Sequence, residues 1–137
     1  MEQINSRPMT GKTVLVTGGT SGIGRATALG LATMGAHLAI TGRNRRHAED
    51  AAREIRAASG GQVDVFVADL SSQSEVRRLA DEILQNLARI DVLVNNVGGY
   101  WTRGMSPRTS ASTARRSLCR FICGLRVIEH RQNVSVS

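Results

Sequence analysis

The segment Thr17-Gly18-Gly19-Thr20-Ser21-Gly22-Ile23-Gly24 constrains this chain more than any other feature. It follows a short apolar run at 13–16 and opens an amphipathic stretch at 25–34. A strand, a glycine-rich turn and a helix in this order bring helix N–H groups and the helix dipole up to an anion. The turn has the spacing G-x-x-x-G-x-G and lacks Gly-Lys-Ser/Thr, which argues against a Walker-type triphosphate site. The segment therefore predicts a phosphate-binding turn in an α/β protein.

Apolar runs and amphipathic stretches alternate through the first 95 residues. The pattern predicts strands at 12–17, 37–41, 62–68 and 90–95, with helices at 22–34, 45–58 and from about 72 to 88. Such alternation is typical of right-handed βαβ units. We therefore predict a parallel sheet with helices on both faces, strand order 3-2-1-4, and a binding crevice between strands one and four.

Helical spacing also predicts which side chains face the sheet. For the first helix these are Ile23, Ala26, Leu29, Ala32 and Thr33 or Met34, and for the third they are Val76, Leu79, Ile83, Leu84 and Leu87. At the start of the third helix, Ser71 or Ser72 is predicted to be the N-cap, with Glu75 placed for a capping box.

Two further motifs follow the third and fourth predicted strands. They are Asp69-Leu70 and Asn95-Asn96-Val97-Gly98. With the glycine-rich turn, they resemble the short-chain dehydrogenase/reductase family, which carries T-G-x-x-x-G-I-G, then Asp-Leu or Asp-Val, then Asn-Asn-Ala-Gly. The segment ending at Trp101 resembles the retinol/protochlorophyllide-reductase-like branch. The resemblance implies a Rossmann-type fold, a nicotinamide dinucleotide cofactor and a small carbonyl or alcohol substrate.

The resemblance also implies a role for each motif residue. Asp69 would face the adenine amino group and Leu70 would pack on the ring, although Asp69 could instead cap the third helix. Asn96 and Gly98 would line the ribose, while Asn95 would tie neighbouring strands together. The residues implied to hold the pyrophosphate are Gly18, Thr20, Ser21, Gly22, Ile23 and Gly24.

The end of the second predicted strand bears on the choice of cofactor. An acidic residue there would hydrogen-bond a ribose 2′-OH and repel a 2′-phosphate. This chain instead has Gly42-Arg43-Asn44-Arg45-Arg46, with no acid before Glu49. Arg43 can pair with a 2′-phosphate and lie over the adenine, with Asn44 beside it. The segment favours NADP(H) over NAD(H); alternatively, its arginines only solvate the start of the second helix.

The family's chemistry depends on a Tyr-x-x-x-Lys pair, in which the lysine lowers the pKa of the tyrosine that moves the proton. This chain has one tyrosine, Tyr100, and one lysine, Lys12, far apart and in the opposite order. We therefore identify no catalytic residue and expect no hydride transfer by this chain alone. A non-catalytic nucleotide-binding remnant is the alternative function.

Charge divides the chain near residue 101. The net charge is +7, but residues 1–101 are close to neutral, whereas residues 102–137 contain seven arginines and one acid, Glu129. The family-like part therefore has no basic excess to attract nucleic acid, and only the tail offers nucleic-acid or partner binding as an alternative. No apolar run is long enough to span a membrane and the start does not resemble a signal peptide, which predicts a cytoplasmic protein. Cys119, Cys123 and His130 make no standard metal set, so no metal site is predicted.

The family resemblance stops at Trp101. The tail reads T-R-G-M-S-P-R-T, and codons exist for which one restored nucleotide after Trp101 gives N-T-R-H-V-T-A-D, which is similar to the family. We therefore divide the chain into an NADP-binding part, 1–101, and a non-native or disordered tail, 102–137, produced by a one-nucleotide deletion. A genuine extension is the alternative, because Leu118, Phe121, Ile122 and Leu125 have helical spacing.

The fourth predicted strand has no recognisable neighbour after it in this sequence. Val92, Leu93 and Val94 would then lie on an exposed apolar sheet edge, which is a template for pairing with other chains. We expect a marginally stable chain that forms oligomers or aggregates through this edge.

Overall fold

The computed structural model describes residues 7–97. Along these residues strands and helices alternate without exception: β1 (Thr13–Val16), α1 (Gly22–Thr33), β2 (His37–Gly42), α2 (Arg45–Ser59), β3 (Val63–Val67), α3 (Gln73–Asn86) and β4 (Val92–Val94). Every predicted element between residues 12 and 95 is thus present. The predictions for Gly98, for Tyr100 and Trp101, and for the tail lie outside the described residues.

The four strands form one parallel sheet in the order β3-β2-β1-β4, as predicted. The register pairs Val16 with Ile40 on one side of β1 and with Val94 on the other. The chain moves outward from β1 to β2 and β3, and then crosses back to place β4 on the other side of β1. The strand order therefore reverses at β1, and the crevice at the carboxyl ends of β1 and β4 is the topological switch point.

The sheet is covered on both faces, because alternate residues of each strand point to opposite sides. Val14 and Val16 pack in one buried cluster with residues of α1 and α2, whereas Leu15 packs in another with residues of α3. The buried strand residues are apolar on both faces, as expected for a parallel sheet enclosed by helices. The predicted Rossmann-type α/β fold is confirmed.

The face of α1 that contacts the sheet differs from the prediction. Its buried residues are Gly24, Ala28 and Ala32, whereas Ile23 is 80% exposed. Small residues four apart let the helix axis approach the strands closely, and a hydrophobicity pattern gives such residues little weight. The predictions for Ile23, Ala26 and Thr33 or Met34 were therefore wrong, because all of these residues are exposed. The predictions for Leu29 and Ala32 were right, because both pack in the core.

The third helix follows its prediction with one exception. Ser72 is the N-cap and its hydroxyl accepts a hydrogen bond from the Glu75 N–H at 3.5 Å. Leu84 is 38% exposed, because it lies to one side of the buried face of α3. The residues of this segment that are buried against the sheet are Val76, Leu79, Ala80, Ile83 and Leu87.

Asp91 fixes β4 beside β1 at the amino end of the sheet. The Thr13 N–H donates to the Asp91 carboxylate at 2.8 Å, the Asp91 N–H donates to the Thr13 carbonyl at 2.8 Å, and Arg89 pairs with the same carboxylate. Burial raises the pKa of Asp91, but the Thr13 hydrogen bond and the Arg89 charge outweigh it, so the pKa is lowered. This arrangement sets the register that brings Val94 level with Val16 at the opposite end.

Within residues 7–97, β4 pairs on one side only, with β1. Val92 is 38% exposed, as the prediction of an apolar edge requires, but Leu93 and Val94 are half-buried because they pack against the two core clusters. Association through this edge stays a prediction. None of the helices in this part of the chain has the combined length and apolarity needed to cross a bilayer.

Candidate functional site

The predicted site residues from Gly18 to Asn96 all follow the carboxyl ends of strands, and the parallel sheet brings these ends to one edge. The segments that meet there are 17–24 after β1, 43–44 after β2, 69–70 after β3 and 95–97 after β4. The sheet therefore gathers four stretches that are distant in sequence. Gly98 lies outside the described residues, so its predicted role stays a prediction.

The glycine-rich turn is held against β2 by Thr41. The Gly18 N–H donates to the Thr41 hydroxyl at 3.2 Å, and the Gly19 N–H donates to the Thr41 carbonyl at 3.2 Å. Gly18 has φ +66°, a left-handed conformation that glycine adopts without steric cost. Thr41 is only 1% exposed. No pattern in the sequence predicts this role for Thr41, since a threonine at the end of a strand is ordinary.

A second buried threonine, Thr17, joins the turn to the end of β4. Its hydroxyl donates to the Val94 carbonyl at 3.3 Å and accepts from the N–H groups of Asn96 at 3.0 Å and Val97 at 3.2 Å. The Thr17 N–H also donates to the Val94 carbonyl, at 3.0 Å. One side chain thus spans the crevice between β1 and β4. Sequence reasoning placed Thr17 in the motif but gave it no role.

Gly24 allows the start of α1 to touch both sides of the crevice. A Cβ at this position would lie 2.2 Å from the Gly18 carbonyl oxygen and 2.4 Å from the Asn96 side-chain nitrogen. Asn96 itself donates from that nitrogen to the Gly18 carbonyl at 3.3 Å. Asn96 therefore ties the end of β4 to the turn. The predicted role of Asn95, tying neighbouring strands together, stays a prediction. The predicted contact of Asn96 with a ribose also stays a prediction.

The amino end of α1 differs from those of the other two helices. Asn44 caps α2 by accepting from the His47 N–H at 3.1 Å, and Ser72 caps α3, but Ser21 makes no side-chain cap to α1. The first N–H groups of a helix have no partner within the helix itself. Ser21, Gly22 and Ile23 are exposed at the switch point, where the first N–H groups of α1 are disposed to receive an anion.

Gly22 leaves room for such an anion. It has φ +55°, and no described atom lies within 4 Å of the position that a Cβ would take. Ile23 beside it extends into solvent. Thr20 instead packs against β2, because a Cβ added to Gly42 would lie 2.5 Å from the Thr20 methyl group. The turn is thus packed against β2 through Thr20 and open at Gly22.

Arg43 and Asp69 follow the carboxyl ends of β2 and β3, which are neighbours in the sheet. Asp69 accepts hydrogen bonds from the Ser71 hydroxyl at 2.7 Å and the Ser71 N–H at 3.0 Å. These two bonds lower the pKa of Asp69, burial opposes them, and the nearby charge of Arg43 lowers it further. Asp69 therefore stays ionised, and its bonds to Ser71 order the turn that leads to the Ser72 cap. Arg43 is exposed and makes no ion pair within residues 7–97.

Two predicted contact residues have structural roles in the described part of the chain. Leu70 is 8% exposed and packs in the core cluster that includes Phe66 and Val76. Asn44 uses its side-chain oxygen for the α2 cap. Contacts of either residue with an adenosine group stay predictions. Among residues 7–97, no group of three or more His, Cys, Asp or Glu side chains is placed to hold a metal ion.

Comparison with known proteins decides the family. The family model described as short chain dehydrogenase matches residues 12–119. The chain belongs to the short-chain dehydrogenase family. The match includes every element of the described fold and all four segments of the crevice.

Curated members of the short-chain dehydrogenase family match the same part of the chain. Human retinol dehydrogenase 14 is 45% identical over 104 residues, which cover 66% of this chain and 31% of the relative. A putative daunorubicin C-13 ketoreductase from Streptomyces sp. strain C5 is 40% identical over 94 residues, covering 68% and 33%. The resemblance to retinol dehydrogenases is therefore confirmed. The chain spans about a third of the length of these relatives.

Solved structures of the family share the fold. A Pseudomonas aeruginosa RhlG/NADP active-site complex has a TM-score of 0.76 and 32% identity, with 88% of this chain and 50% of that chain covered. A metagenomic short-chain oxidoreductase in complex with NADP has a TM-score of 0.74 and 33% identity, covering 85% and 57%. Both neighbours hold NADP, and the chain spans about half the length of each.

Proposed function

We propose that this chain is the cofactor-binding portion of an NADP(H)-dependent short-chain oxidoreductase that acts on a carbonyl or an alcohol. The observation that carries the proposal is the uncapped start of α1, which opens at the switch point beside Gly22 while α2 and α3 are both capped. Membership of the family and the NADP held by two structural neighbours support it.

In this proposal the chain's own residues bind and orient the dinucleotide. The first-turn N–H groups of α1 and the backbone of Gly22 receive the pyrophosphate, with Thr20 and Ser21 on the turn beside them. Arg43 receives the 2′-phosphate, and Asp69 lies near the adenine end. Asn96 holds the turn in place through Gly18. The cofactor, when bound, supplies or accepts a hydride.

Asn44, Leu70, Ile23 and Gly98 complete the proposed surroundings of the dinucleotide. Ile23 is exposed beside the helix start and offers an apolar side chain next to the pyrophosphate. The Asn44 side-chain oxygen caps α2, so the side-chain nitrogen of Asn44 is the group that could reach a ribose. We propose a cytoplasmic location for the protein, as the sequence predicts.

Proton transfer in this family is implied to need Tyr-x-x-x-Lys, and the 137 residues contain no such pair. We therefore propose cofactor binding without turnover for this chain by itself. This favours a second candidate, a nucleotide-binding protein without catalysis. Both candidates bind the same dinucleotide. Steady oxidation of NADPH by the pure chain with a carbonyl substrate would contradict the second candidate and the expected absence of turnover.

The choice between the two nicotinamide cofactors is tested at Arg43. We expect Arg43→Asp to weaken NADPH binding relative to NADH by roughly 1–3 kcal/mol, because one charge-assisted contact is lost and a like charge replaces it. Fluorescence titration of the 137-residue chain with each cofactor gives the two dissociation constants and their ratio.

The matched control is Arg46→Asp, which makes the same charge change three residues along, on the exposed first turn of α2. It should leave the NADPH-to-NADH ratio within about twofold of the parent, since screened surface charges contribute little. If the parent and Arg43→Asp have the same NADPH-to-NADH ratio of dissociation constants, Arg43 is only a solvated residue before α2. The basis for NADP(H) preference is then lost.

A further inference from the structure

The last residue of β2, Gly42, is in close contact with the glycine-rich turn. Gly42 is buried, and its φ angle lies outside the left-handed region, so its backbone would accept a residue with a side chain. A Cβ added there would nevertheless lie 2.5 Å from the Thr20 methyl carbon, while the next nearest atom, the Ala48 Cβ, would be at 3.4 Å. The missing side chain at position 42 therefore makes room for Thr20.

The two halves of the Thr20 side chain have different surroundings. The methyl group packs against Gly42, whereas the hydroxyl makes no hydrogen bond to any group of residues 7–97. The hydroxyls of Thr17 and Thr41, by contrast, are both bonded to neighbouring backbone groups. Since a threonine hydroxyl donates one hydrogen bond and accepts others, that of Thr20 is left for a ligand at this edge of the sheet.

The backbone on both sides of this contact is fixed by hydrogen bonds. The Gly18 N–H donates to the Thr41 hydroxyl and the Gly19 N–H to the Thr41 carbonyl, both at 3.2 Å. The Gly42 carbonyl accepts from the Ala68 N–H of the neighbouring segment at 3.0 Å. A carbon added at position 42 is therefore accommodated by rotating the Thr20 side chain rather than by moving either backbone.

Rotation of Thr20 moves its methyl and its hydroxyl together, because both are attached to Cβ. A β-branched side chain has few staggered rotamers, and the contact with Gly42 selects the one that is present. Any residue at position 42 that displaces the methyl group must also redirect the hydroxyl. Gly42 thus sets the direction of a polar group that it does not itself contact through a hydrogen bond.

This contact lies on the side of the turn where a 2′-phosphate is proposed to bind. Gly42 is followed directly by Arg43, whereas Gly22, beside the proposed pyrophosphate position, has no described atom within 4 Å of its Cβ position. Thr20 is packed on the β2 side of the turn, next to the backbone that carries Arg43. A phosphate dianion accepts hydrogen bonds from a hydroxyl and a guanidinium at the same time, and each is strengthened by its charge.

We propose that Gly42 is a positioning residue that holds the Thr20 hydroxyl toward the 2′-phosphate of NADP(H), beside Arg43. The proposal rests on the proposed function, since it assigns a further residue to the same cofactor site. Thr20 donates a hydrogen bond to the phosphate, Arg43 supplies the positive charge, and Gly42 acts only through Thr20. The choice between NADP(H) and NAD(H) then depends on the absence of a side chain at position 42 as well as on Arg43.

The test is Gly42→Ala in the 137-residue chain, with NADPH and NADH as probes in fluorescence titrations. We expect the NADPH dissociation constant to rise about tenfold, because a hydrogen bond to a charged group is lost. That of NADH, which has no 2′-phosphate, should stay within about twofold of the parent. Gly42→Ala/Thr20→Ser should recover most of the NADPH affinity, because serine lacks the methyl group and keeps the hydroxyl.

Two further variants serve as controls. Gly30→Ala adds the same carbon where no described atom lies within 4 Å, and both dissociation constants should stay within about twofold of the parent. Thr20→Val keeps the shape of threonine and removes its hydroxyl, so it should reproduce the roughly tenfold loss for NADPH alone. Thr20→Val also tests the proposal if Gly42→Ala does not fold.

The outcomes separate this proposal from the proposed function. Equal weakening of NADPH and NADH by Gly42→Ala, no recovery with Thr20→Ser, or an unchanged ratio of dissociation constants in Thr20→Val would overturn the proposal. If Arg43→Asp still lowers the preference for NADPH in those experiments, the proposed function survives. A folded parent chain that binds neither dinucleotide would contradict the proposed function and, with it, the role of Gly42.

Discussion

Replacing Gly24 with alanine is expected to destabilise the domain by about 1–3 kcal/mol, the usual cost of inserting a carbon into a packed site. The new Cβ would lie 2.2 Å from the Gly18 carbonyl oxygen, and that oxygen is backbone and cannot swing aside. The start of α1 must therefore move away from the crevice, and the Asn96 bond to Gly18 must lengthen or break. Urea unfolding followed by circular dichroism measures the loss.

Gly30→Ala is the matched control for this change. Gly30 lies in the same helix, and no described atom is within 4 Å of the position that its Cβ would take. Alanine there should stabilise the helix by about 0.5–1 kcal/mol. Opposite signs for the two substitutions are the expected result. A Gly24→Ala chain as stable as the parent would show that α1 does not sit as close to Gly18 as described.

The second large effect is expected for Thr17→Val, which keeps the shape of the side chain and removes its hydroxyl. The Val94 carbonyl loses the Thr17 hydroxyl and keeps the N–H groups of Thr17 and Asn96 as donors, while the N–H groups of Asn96 and Val97 lose the Thr17 oxygen as an acceptor. Losing these bonds at a threonine that is 1% exposed is costly, so we expect a loss of about 2–4 kcal/mol in the free energy of unfolding.

Thr33→Val makes the same chemical change at an exposed threonine of α1, whose hydroxyl donates to the Gly30 carbonyl at 2.7 Å. Water replaces that bond readily, and the change should be within about 0.5 kcal/mol of zero. Equal effects at positions 17 and 33 would contradict the account of Thr17 as the residue that spans the crevice. The double variant Gly24→Ala/Thr17→Val should lose less stability than the sum of the two single losses, because both substitutions disturb Asn96.

Much of the fold could be predicted because local sequence patterns specify its strands and helices. Each strand is a short apolar run, each helix has a polar face, and Gly35 and Gly60 end α1 and α2 with positive φ angles. With right-handed crossovers, that order leaves few arrangements for a parallel sheet. The predicted order 3-2-1-4 followed from the family resemblance together with these signals.

The errors arose where packing depends on small size or on a partner distant in sequence. Ile23 was assigned to the core because it is apolar, but Gly24 and Ala28 provide the close contact and leave Ile23 outside. The bond from the Asn96 side chain to the Gly18 carbonyl was not predicted, because Gly18 lies 78 residues away in sequence.

The two threonines of the crevice were not predicted as functional for a related reason. Thr17 and Thr41 act through backbone groups that lie 77 and 23 residues away. No local pattern encodes such pairs. The motif Thr-Gly contained the signal for Thr17, since a hydroxyl buried at a switch point needs partners, and the nearest backbone groups there belong to the end of β4.

Hydrogen exchange at the amides of residues 22–24, with and without NADPH, tests the central claim most directly. We expect saturating NADPH to slow exchange at these amides strongly and to leave unchanged the exposed Gly11 amide, which precedes β1 at the opposite end of the sheet. The uncapped start of α1 would then be the place where the dinucleotide is held. Binding of NADPH that slows residues 22–24 no more than Gly11, or no binding of NADPH by the folded chain, would contradict this result.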